Sequence, residues 1–303
     1  MMYKYSDSPG QTCTDGFLSS REDARDHCEA CSNRYVTFRL SGQLNNHLRQ
    51  LENVVEWAQR HCVSVMLPAR LSAELVDDFD LSELTIPQCI IKFNGSLNPC
   101  AITATVAWKR SLLLNSTASD AGLLNSTLPL YRALFSVPKT TLVRAVGCAM
   151  QRIGKTAQNT SLLCTQPMAI SFQRQRLQYA ALHLRGMDGN CQARLRARNI
   201  TTEYCRMDPV WVQQQFALQR SPCAALPLYI ATDWQAPHAV NLLLKSKTMN
   251  ASVMHRDKRH IQLRKSTKVW VDIFMLAMSS CTLLNPASSF TQTVSLLKLA
   301  FGS

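Results

Sequence analysis

One stretch near the N-terminus follows a pattern of strand, glycine turn, helix and strand, and it restricts the fold more than any other feature. Residues Tyr35 to Phe38 form a short β-rich run, and the turn-forming pair Ser41-Gly42 follows. Apolar residues then recur at spacings of three and four from Leu44 to Ala58, which is typical of one face of a helix. A second apolar run, Val63 to Leu67, ends at Pro68. These elements predict a βαβ unit, which is right-handed almost without exception.

The second half of the chain repeats this alternation of strands and helices. Strands are predicted there at 179–184, 228–231 and 281–284, and helices at 209–220, 235–244, 271–278 and 292–301. A further helix is predicted at 142–153, before the second half begins. The stretch 94–128 is rich in Ser, Thr and Asn, and it predicts surface loops with short helical pieces. A chain of 303 residues is long enough for two domains. We therefore predict an α/β fold with two Rossmann-like domains facing a cleft.

The same pattern divides the chain into three segments. Residues 1–34 form a polar, cysteine-bearing lead. An N-terminal Rossmann-like domain covers 35–170, and the crossover to the next domain is expected within 155–176. A C-terminal Rossmann-like domain covers 171–303.

The cysteines and glycosylation sequons bear on the compartment in which the chain folds. The chain contains 12 cysteines. Six N-x-S/T sequons lie at Asn94, Asn115, Asn125, Asn159, Asn199 and Asn250. This combination favours disulfide bonds and an oxidising, glycosylating lumen. The single Cys-x-x-Cys pair at 28–31 favours a disulfide or structural thiols over zinc or redox chemistry.

The formal net charge of +13 favours an anionic partner such as a nucleotide, or else a solubilising surface. No RNA-binding signature or zinc-finger spacing is present, so nucleic acid is not expected as a partner. The polar stretch 1–16 lacks the apolar segment of a signal peptide, and no uninterrupted apolar run reaches about 18 residues. A membrane anchor is therefore not expected in this chain.

Polar residues follow the first predicted strand at the glycine turn. Gly42, Asn45 and Asn46 stand where this turn opens the helix. Backbone N–H groups at a helix N-terminus favour an anion, and the asparagines can hydrogen-bond a sugar or phosphate. An ordinary helix cap is the alternative, because Gly, Ser and Asn are favoured there regardless of function. Since Gln43 interrupts the usual glycine fingerprint, a pyrophosphate lying flat on this turn is not expected.

The most informative candidate is the stretch His183 to Asp188, where the predicted strand breaks into a loop. Arg185 comes at the end of that strand, at the sheet edge where open α/β folds bind ligands. An arginine there can fork two oxygens of a diphosphate. His183 could bond a ligand hydroxyl, or it could be a satisfied core residue. Arg185 could alternatively form an ion pair, with Asp188 as the candidate partner.

The strand predicted at 228–231 also ends in a polar residue. Asp233 follows it and can accept hydrogen bonds from a base or a ribose. The alternative is that Asp233 caps the helix expected to begin near Gln235.

The stretch 285–291 lies between a predicted strand and a predicted helix. Ser288 and Ser289 supply hydroxyls at the helix start, where backbone N–H groups can cradle a phosphate, and Phe290 could cover a ring. An ordinary capping turn is the alternative. The residues expected to converge on one edge of one sheet are those at 185–188, 233 and 288–290.

These residues resemble a known family, the GDP-fucose protein O-fucosyltransferase superfamily. The resemblance lies in a glycine-rich loop with its helix, a strand ending in proline, a His-x-Arg loop and a segment ending in Ser-Ser-Phe-Ser/Thr. The residues that carry it are 38–46, 65–68, 78–81, 183–191, Asp272 and 285–291. The resemblance spans 36–84 and 179–297.

The resemblance implies a two-domain fold of the glycosyltransferase B type, with the N-terminal domain on the acceptor side. It implies GDP-fucose as the donor substrate, no metal or other cofactor, and the endoplasmic reticulum or Golgi lumen as the location. Arg185 would grip the donor diphosphate, and Asn46 would lie near the fucose and the acceptor. The residues expected to be catalytic are Arg185 and Asn46. Those expected to bind substrate are Gly42, Asn45, His183, Asp188, Asp233, Asp272, Ser288, Ser289 and Phe290.

The expected function is thus that of an inverting, metal-independent glycosyltransferase that moves fucose from GDP-fucose to a Ser or Thr hydroxyl of a secreted protein. Two alternatives stay open. One is a glycosyltransferase of the same fold with another donor or a glycan acceptor. The other is an inactive secreted protein that binds a nucleotide sugar, motivated by Gln43 and by the lack of a glutamate beside the first glycine loop.

Overall fold

The computed structural model describes residues 35–60, 63–81, 83–86, 89–92, 101–104, 121–153, 177–185, 190–219, 221–233, 236–246, 248–253 and 264–301. In these parts the chain is mixed α/β with two sheets in which most strands run parallel, which confirms the predicted α/β class. It divides into two compact units after Lys139. The lead predicted at 1–34 and the crossover predicted at 155–176 lie outside the described residues.

The first unit contains a five-stranded sheet. Its strands are β1 (Tyr35–Phe38), β2 (Ser64–Met66), β3 (Glu83–Ile86), β4 (Cys89–Lys92) and β5 (Ala101–Ala104), in the order β3-β4-β2-β1-β5. Its helices are α1 (Leu44–Arg60), α2 (Ala69–Val76) and α3 (Ala121–Phe135). All pairings are parallel except that of β3 with β4. The predicted βαβ unit is confirmed as β1, α1 and β2.

Helix α1 packs on this sheet because its apolar residues form a single stripe. Leu48, Leu51, Val54 and Val55 are each at most 1% exposed, and the helix contacts β1, β2 and α3. Burying side chains of this size contributes about 1.5–3 kcal/mol each. Helix α1 therefore holds the turn that precedes it, where Gly42 follows the carboxyl end of β1.

The second unit contains four described strands, all parallel. They are β6 (Leu177–Leu184), β7 (Leu228–Thr232), β8 (Ala251–Ser252) and β9 (Ser279–Leu283), in the order β8-β7-β6-β9. Its helices are α4 (Thr140–Arg152), α5 (Cys191–Arg196), α6 (Glu203–Arg206), α7 (Pro209–Gln219), α8 (Pro237–Lys245), α9 (Lys265–Met278) and α10 (Ser289–Phe301), with a 3-10 turn at Ser221–Ala225. The strands and helices predicted in this half are confirmed, with ends that differ by a few residues.

The central strands of the second sheet are held by a buried helix. Trp270 and Phe274 of α9 are fully buried, and the helix contacts β6, β7 and β9. The Tyr179 hydroxyl of β6 donates a hydrogen bond to the Met275 carbonyl at 2.5 Å, and burial raises the pKa of Tyr179 well above its usual value. Strands covered in this way are continuous apolar runs, which is why β6 and β7 were predictable. The packing also fixes where the two strands end.

The stretch 94–128 differs from its sequence expectation. It was predicted to be surface loops with short helical pieces, but it contains strand β5 and the start of helix α3, which is 15 residues long. Pro129 lies inside α3 and opposes helix formation locally. Packing of this helix on α1 through buried side chains such as Tyr131 offsets that cost. The pairing of β3 with β4 was not predicted either.

Two disulfides lie in the second unit. Cys191 pairs with Cys205 and Cys223 pairs with Cys281, with Cα–Cα distances of 5.7 and 5.8 Å. They confirm the predicted use of cysteines in disulfide bonds, whereas the pair at 28–31 lies outside the described residues. Disulfides are typical of proteins that fold in oxidising compartments. None of the helices in the described ranges is long and apolar enough to cross a bilayer.

Candidate functional site

The strand order of the second sheet reverses at β6. The chain moves outward from β6 to β7 and β8, and then returns to the opposite side of β6 with β9. In open α/β sheets, ligands bind outside the carboxyl ends of the strands, at the point where the strand order reverses in this way. Here that point lies between the loop that follows β6 and the loop that follows β9.

Three polar side chains meet at this edge. Arg185 follows β6, Asp233 follows β7, and Ser288 lies in the loop after β9. Arg185 Nη1 donates a hydrogen bond to Ser288 Oγ at 3.1 Å, and Arg185 Nε lies 3.4 Å from Asp233 Oδ2. The side chains of Arg185 and Asp233 are 23% and 25% exposed, so solvent reaches both. The three strand ends expected to meet at one edge do so.

Asp233 pairs with the arginine and does not cap the next helix. Helix α8 begins at Pro237, and no side chain makes a cap hydrogen bond at its Ala236 cap position. Ala236, and not Asp233, is thus the N-cap residue of α8. A partly exposed ion pair contributes only about 0.2–1 kcal/mol to stability. The pair is better explained as orienting the Arg185 guanidinium than as holding the fold together.

Ser288 serves its own loop and the arginine at once. Its Oγ accepts a hydrogen bond from the Phe290 backbone N–H at 3.3 Å, as a cap residue does at the start of a helix. The same oxygen accepts from Arg185. Ser289 is the first residue of α10 and is half-buried. The capping and the ligand-binding interpretations of this turn are thus compatible, and both the guanidinium and the N-terminal end of α10 favour an anion.

One buried asparagine organises the turn before Ser288. Asn285 Oδ1 accepts from the Ala287 N–H at 3.0 Å, and the Asn285 carbonyl accepts from the Ser288 N–H at 3.1 Å and from the Thr291 hydroxyl. Asn285 Nδ2 donates to the Tyr204 carbonyl at 3.3 Å, and the residue is fully buried. Asn285 was not predicted as a site residue. Its role depends on Tyr204, which is 81 residues away in sequence and which no local pattern brings near.

His183 lies on β6 next to Arg185 and is kept neutral. Its ring is buried and stacks on Phe290, with ring centroids 4.4 Å apart and 28° between the ring planes. Burial, assisted by the positive charge of Arg185, lowers the pKa of His183 to about 3. Its Nδ1 is buried with no hydrogen-bond partner in the described part of the chain. The ring is therefore a buried residue at the end of β6, in keeping with the core interpretation of His183.

Asp272 is placed toward the other end of the strands. It is buried on α9 and accepts a hydrogen bond from the Tyr229 hydroxyl at 2.6 Å. Tyr229 is near the start of β7, whereas Asp233 follows its end, which separates them by roughly 13 Å at the usual rise of a strand. This contact places Asp272 away from the strand ends at which Arg185, Asp233 and Ser288 meet. Asp188, the other predicted carboxylate, lies outside the described residues.

The glycine turn of the first unit has the backbone form that favours glycine. Gly42 is exposed, with φ at 83°, in the left-handed region. Gln50 of α1 holds the turn from behind: its Oε1 accepts from the Ser41 N–H at 3.1 Å, and its Nε2 donates to Ser41 Oγ at 2.7 Å. Gln50 was not predicted as part of this turn, because nothing in the sequence marks its two hydrogen bonds to Ser41, nine residues earlier.

The two asparagines at the start of α1 have different surroundings. Asn45 is 6% exposed, and its Oδ1 has no hydrogen-bond partner among the described residues. Asn46 is half-buried, and its N–H donates to the Gln43 carbonyl at 2.8 Å. An unpaired buried acceptor costs about 1–3 kcal/mol. A ligand group that donates a hydrogen bond would therefore be favoured beside Asn45.

No protein-family model matches the chain, and no curated protein is significantly similar to it. Among the residues that the structure describes, no group of three or more His, Cys, Asp or Glu side chains is arranged to hold a metal ion. The function is therefore inferred from the geometry of the site.

Proposed function

We propose that the chain is an inverting glycosyltransferase that moves fucose from GDP-fucose to a Ser or Thr hydroxyl of a secreted protein. One observation carries the proposal. Arg185 stands where the strand order of a parallel sheet reverses, and Ser288 and Asp233 hold its guanidinium at the sheet edge. In the proposed fold, both units are Rossmann-like and together form the glycosyltransferase B architecture.

The electrostatics of this edge suit a diphosphate. A guanidinium presents its N–H donors in a planar fork that matches two phosphate oxygens. Helix α10 begins one residue after Ser288, and its N-terminal end adds partial positive charge. Asp233 opposes binding through its negative charge, but its contact with Arg185 Nε also prevents the long side chain from sampling other rotamers. We assign the donor diphosphate to this edge, with Asp233 beside the nucleoside.

The proposed step needs charge stabilisation at one place. The acceptor hydroxyl oxygen forms a bond to the anomeric carbon while the bond from that carbon to the diphosphate oxygen breaks, which inverts the configuration. The hydroxyl proton passes to solvent or to a base, and GDP leaves with the bonding electron pair. Arg185 faces the negative charge that grows on the leaving diphosphate. Fixed donors aimed at developing charge are the largest single source of catalysis in many enzymes.

The neutral His183 and the first unit complete the proposal. A histidine whose pKa is about 3 adds no charge to the edge. Asn45 and Asn46 of α1, with Gly42 before them, would receive the fucose and the acceptor. The two disulfides are consistent with the lumen of the endoplasmic reticulum or Golgi as the place of action.

The decisive experiment replaces Arg185. Arg185→Ala is expected to lower the rate of GDP release from GDP-fucose by roughly 100-fold or more, the effect of removing one transition-state donor. Arg144→Ala removes the same charge from an exposed position on α4 and is the matched control, expected to retain the wild-type rate. Equal rates in all three proteins would reject the assignment.

A donor screen separates the proposal from its two alternatives. GDP-fucose should raise the melting temperature of the wild-type protein, and UDP-sugars should not. Stabilisation by a UDP-sugar alone would favour a glycosyltransferase with another donor. Tight GDP binding without fucose transfer to any Ser- or Thr-containing acceptor domain would favour an inactive nucleotide-sugar-binding protein.

A further inference from the structure

A disulfide-closed segment lies beside the loop that presents Ser288. The segment is 191–205, closed by the bond between Cys191 and Cys205, and it contains α5. It belongs to the connection between β6 and β7. The loop is 285–288, which follows β9. The two are distant in sequence and adjacent in space.

Hydrogen bonds join the disulfide-closed segment to the 285–288 loop. Arg198 Nη1 donates to the Pro286 carbonyl at 2.7 Å. Asn285 Nδ2 donates to the Tyr204 carbonyl at 3.3 Å and contacts Cys191 Sγ at 3.6 Å. Asn285 and Pro286 of the loop thus contact three residues of the segment, Cys191, Arg198 and Tyr204. Cys191 is one of the two cysteines of the disulfide.

Apolar packing joins the same two pieces of chain. Ala287 forms a small buried cluster with Cys191 and Leu195, separate from the main core beneath the sheet. Ile200 and Tyr204 pack against it. Since Ala287 lies between Asn285 and Ser288, the loop is seated on the segment just before the residue that contacts Arg185.

We propose that the disulfide-closed segment 191–205 positions the sheet edge formed by Arg185, Asp233 and Ser288, which we call the binding edge. The segment acts through Asn285, which holds Ser288 against Arg185. Asn285 is the positioning residue, because it bonds both to the segment and to the turn that carries Ser288. The inference deepens the proposed function, on which it rests. It assigns to one disulfide a role in ligand affinity that the other disulfide does not have.

The chain contains its own matched control for this role. The bond between Cys223 and Cys281 joins the 3-10 turn to β9, and both of its cysteines belong to the main core cluster. Its sequence separation is 58 residues against 14 for the other bond, so its loss should destabilise the fold more. A purely structural account of both disulfides predicts that the double variant with the lower stability is also the weaker binder.

The positioning account predicts the reverse order for affinity. Calorimetry with GDP should show affinity lowered roughly 10- to 100-fold in C191A/C205A, since small displacements of positioning groups have effects of that size. C223A/C281A should bind GDP as the wild type does at a temperature where it is folded, although it melts earlier. Equal affinity in C191A/C205A and wild type would overturn the proposal, and so would equal losses in the two variants.

A double-mutant cycle tests the route through the arginine. Asn285→Ala should weaken GDP binding in the wild-type background by a similar factor. In the Arg185→Ala background the same change should have almost no further effect, because the group that it positions is gone. Full additivity of the two losses would show that Asn285 acts on the fold in general and not on Arg185.

A measurement without nucleotide separates this inference from the proposed function. The Nε–H resonance of Arg185, assigned by its loss in Arg185→Lys, should shift in Asn285→Ala and in C191A/C205A and stay in place in C223A/C281A. If the wild type fails to bind GDP while these shifts occur, the proposed function is wrong and the positioning role stands. If GDP binds while the resonance does not respond to Asn285→Ala, the positioning role is wrong and the proposed function stands.

Discussion

At the scale of single residues, the binding edge depends on which neighbours of Arg185 carry charge. The Asp233 carboxylate contacts Arg185 Nε, whereas His183, two residues before Arg185, is neutral. A charged His183 would repel the guanidinium at close range in a poorly solvated place. Burial of the ring against Phe290 prevents this, so a single positive charge is presented at this end of β6.

The depressed pKa of His183 should appear in the pH dependence of stability. The unfolded side chain titrates at 6.5 and the folded one at about 3. Between these values the unfolded chain binds a proton that the folded chain does not, so the free energy of unfolding should fall as the pH is lowered through this window. The slope from this one group approaches about 1.4 kcal/mol per pH unit. Urea unfolding of wild type and His183→Gln between pH 6.5 and 5 gives the free energy of unfolding of each protein against pH. The difference between the slopes of the two plots is the contribution of His183.

Glu52 also has a shifted pKa, but it does not disturb that comparison. It is buried, and burial raises the pKa of its carboxyl above 4.5 despite its contact with Arg49. Its folded form therefore binds a proton that the unfolded form has lost, which gives a slope of opposite sign. Because Glu52 is present in both proteins, its effect cancels. Parallel stability curves for wild type and His183→Gln would show that His183 titrates normally.

The residues at the binding edge were predictable only in part. Arg185, Asp233 and Ser288 follow apolar strands, and the meeting of strand ends at one edge is a general property of parallel sheets. Their pairing was not predictable, because it depends on strand order. Asp188, the partner expected from its nearness in sequence, lies outside the described residues, whereas β7 lies directly beside β6 and brings Asp233 to Arg185. Asn285 was missed for the same reason.

At the scale of elements, the glycine turn and α1 illustrate how a local pattern becomes a fixed geometry. The turn needs one residue in the left-handed region, and Gly42 supplies it. The side chain of Gln50 then bonds to Ser41 on both its backbone and its hydroxyl. The position of the first amides of α1 is thus set by the helix itself.

Substitution of Gly42 should lower the free energy of unfolding, and by more for a residue that is more strained at positive φ. Gly42→Ala should lower the free energy of unfolding by about 1–2 kcal/mol, because a Cβ is disfavoured at a φ of 83°. Gly42→Asn is the matched control and should cost less, since asparagine tolerates this region better than alanine. Urea denaturation of the three proteins gives the order. Equal stability of the two variants would mean that the turn adopts another conformation.

The elements that sequence predicted well are those whose own residues determine them. Helix α1 has a complete apolar stripe, and β6 and β7 are continuous apolar runs. Helix α3 was missed because Pro129 and the polar Asn125-Ser126-Thr127 stretch oppose it locally. Its formation depends on packing against α1, to which Tyr131 contributes a hydrogen bond of 2.6 Å to Glu52. That contact joins residues 79 positions apart, beyond the range of periodicity.

At the scale of the whole molecule, the two disulfides among the described residues close loops of different length. The loop between Cys223 and Cys281 has a sequence separation of 58, and closing it removes more freedom from the unfolded chain than closing the 14-residue separation between Cys191 and Cys205. Chain-entropy arguments give about 4 kcal/mol for the longer loop and about 3 kcal/mol for the shorter. Compartments that support such bonds are oxidising, in agreement with the sequons.

We predict which of the two disulfides contributes more to stability. C223A/C281A should lose more of the free energy of unfolding than C191A/C205A in guanidinium titrations of the second unit's transition, by about 1 kcal/mol. The comparison is matched because each double variant replaces two largely buried cysteines with alanine. A larger loss in C191A/C205A would indicate that contacts of the 191–205 segment, and not loop closure, dominate its stability.

The contact between Arg185 and Ser288 joins residues 103 positions apart. It can form only after β6 and β9 have paired, so newly made chains lack it until the second sheet is complete. A nucleotide held by that contact binds native protein alone, and at 100 times its dissociation constant it would add about 2.7 kcal/mol in favour of the native state. GDP or its sugar conjugate supplied during biosynthesis would then act as a folding aid and raise the yield of weakened variants that retain the arginine.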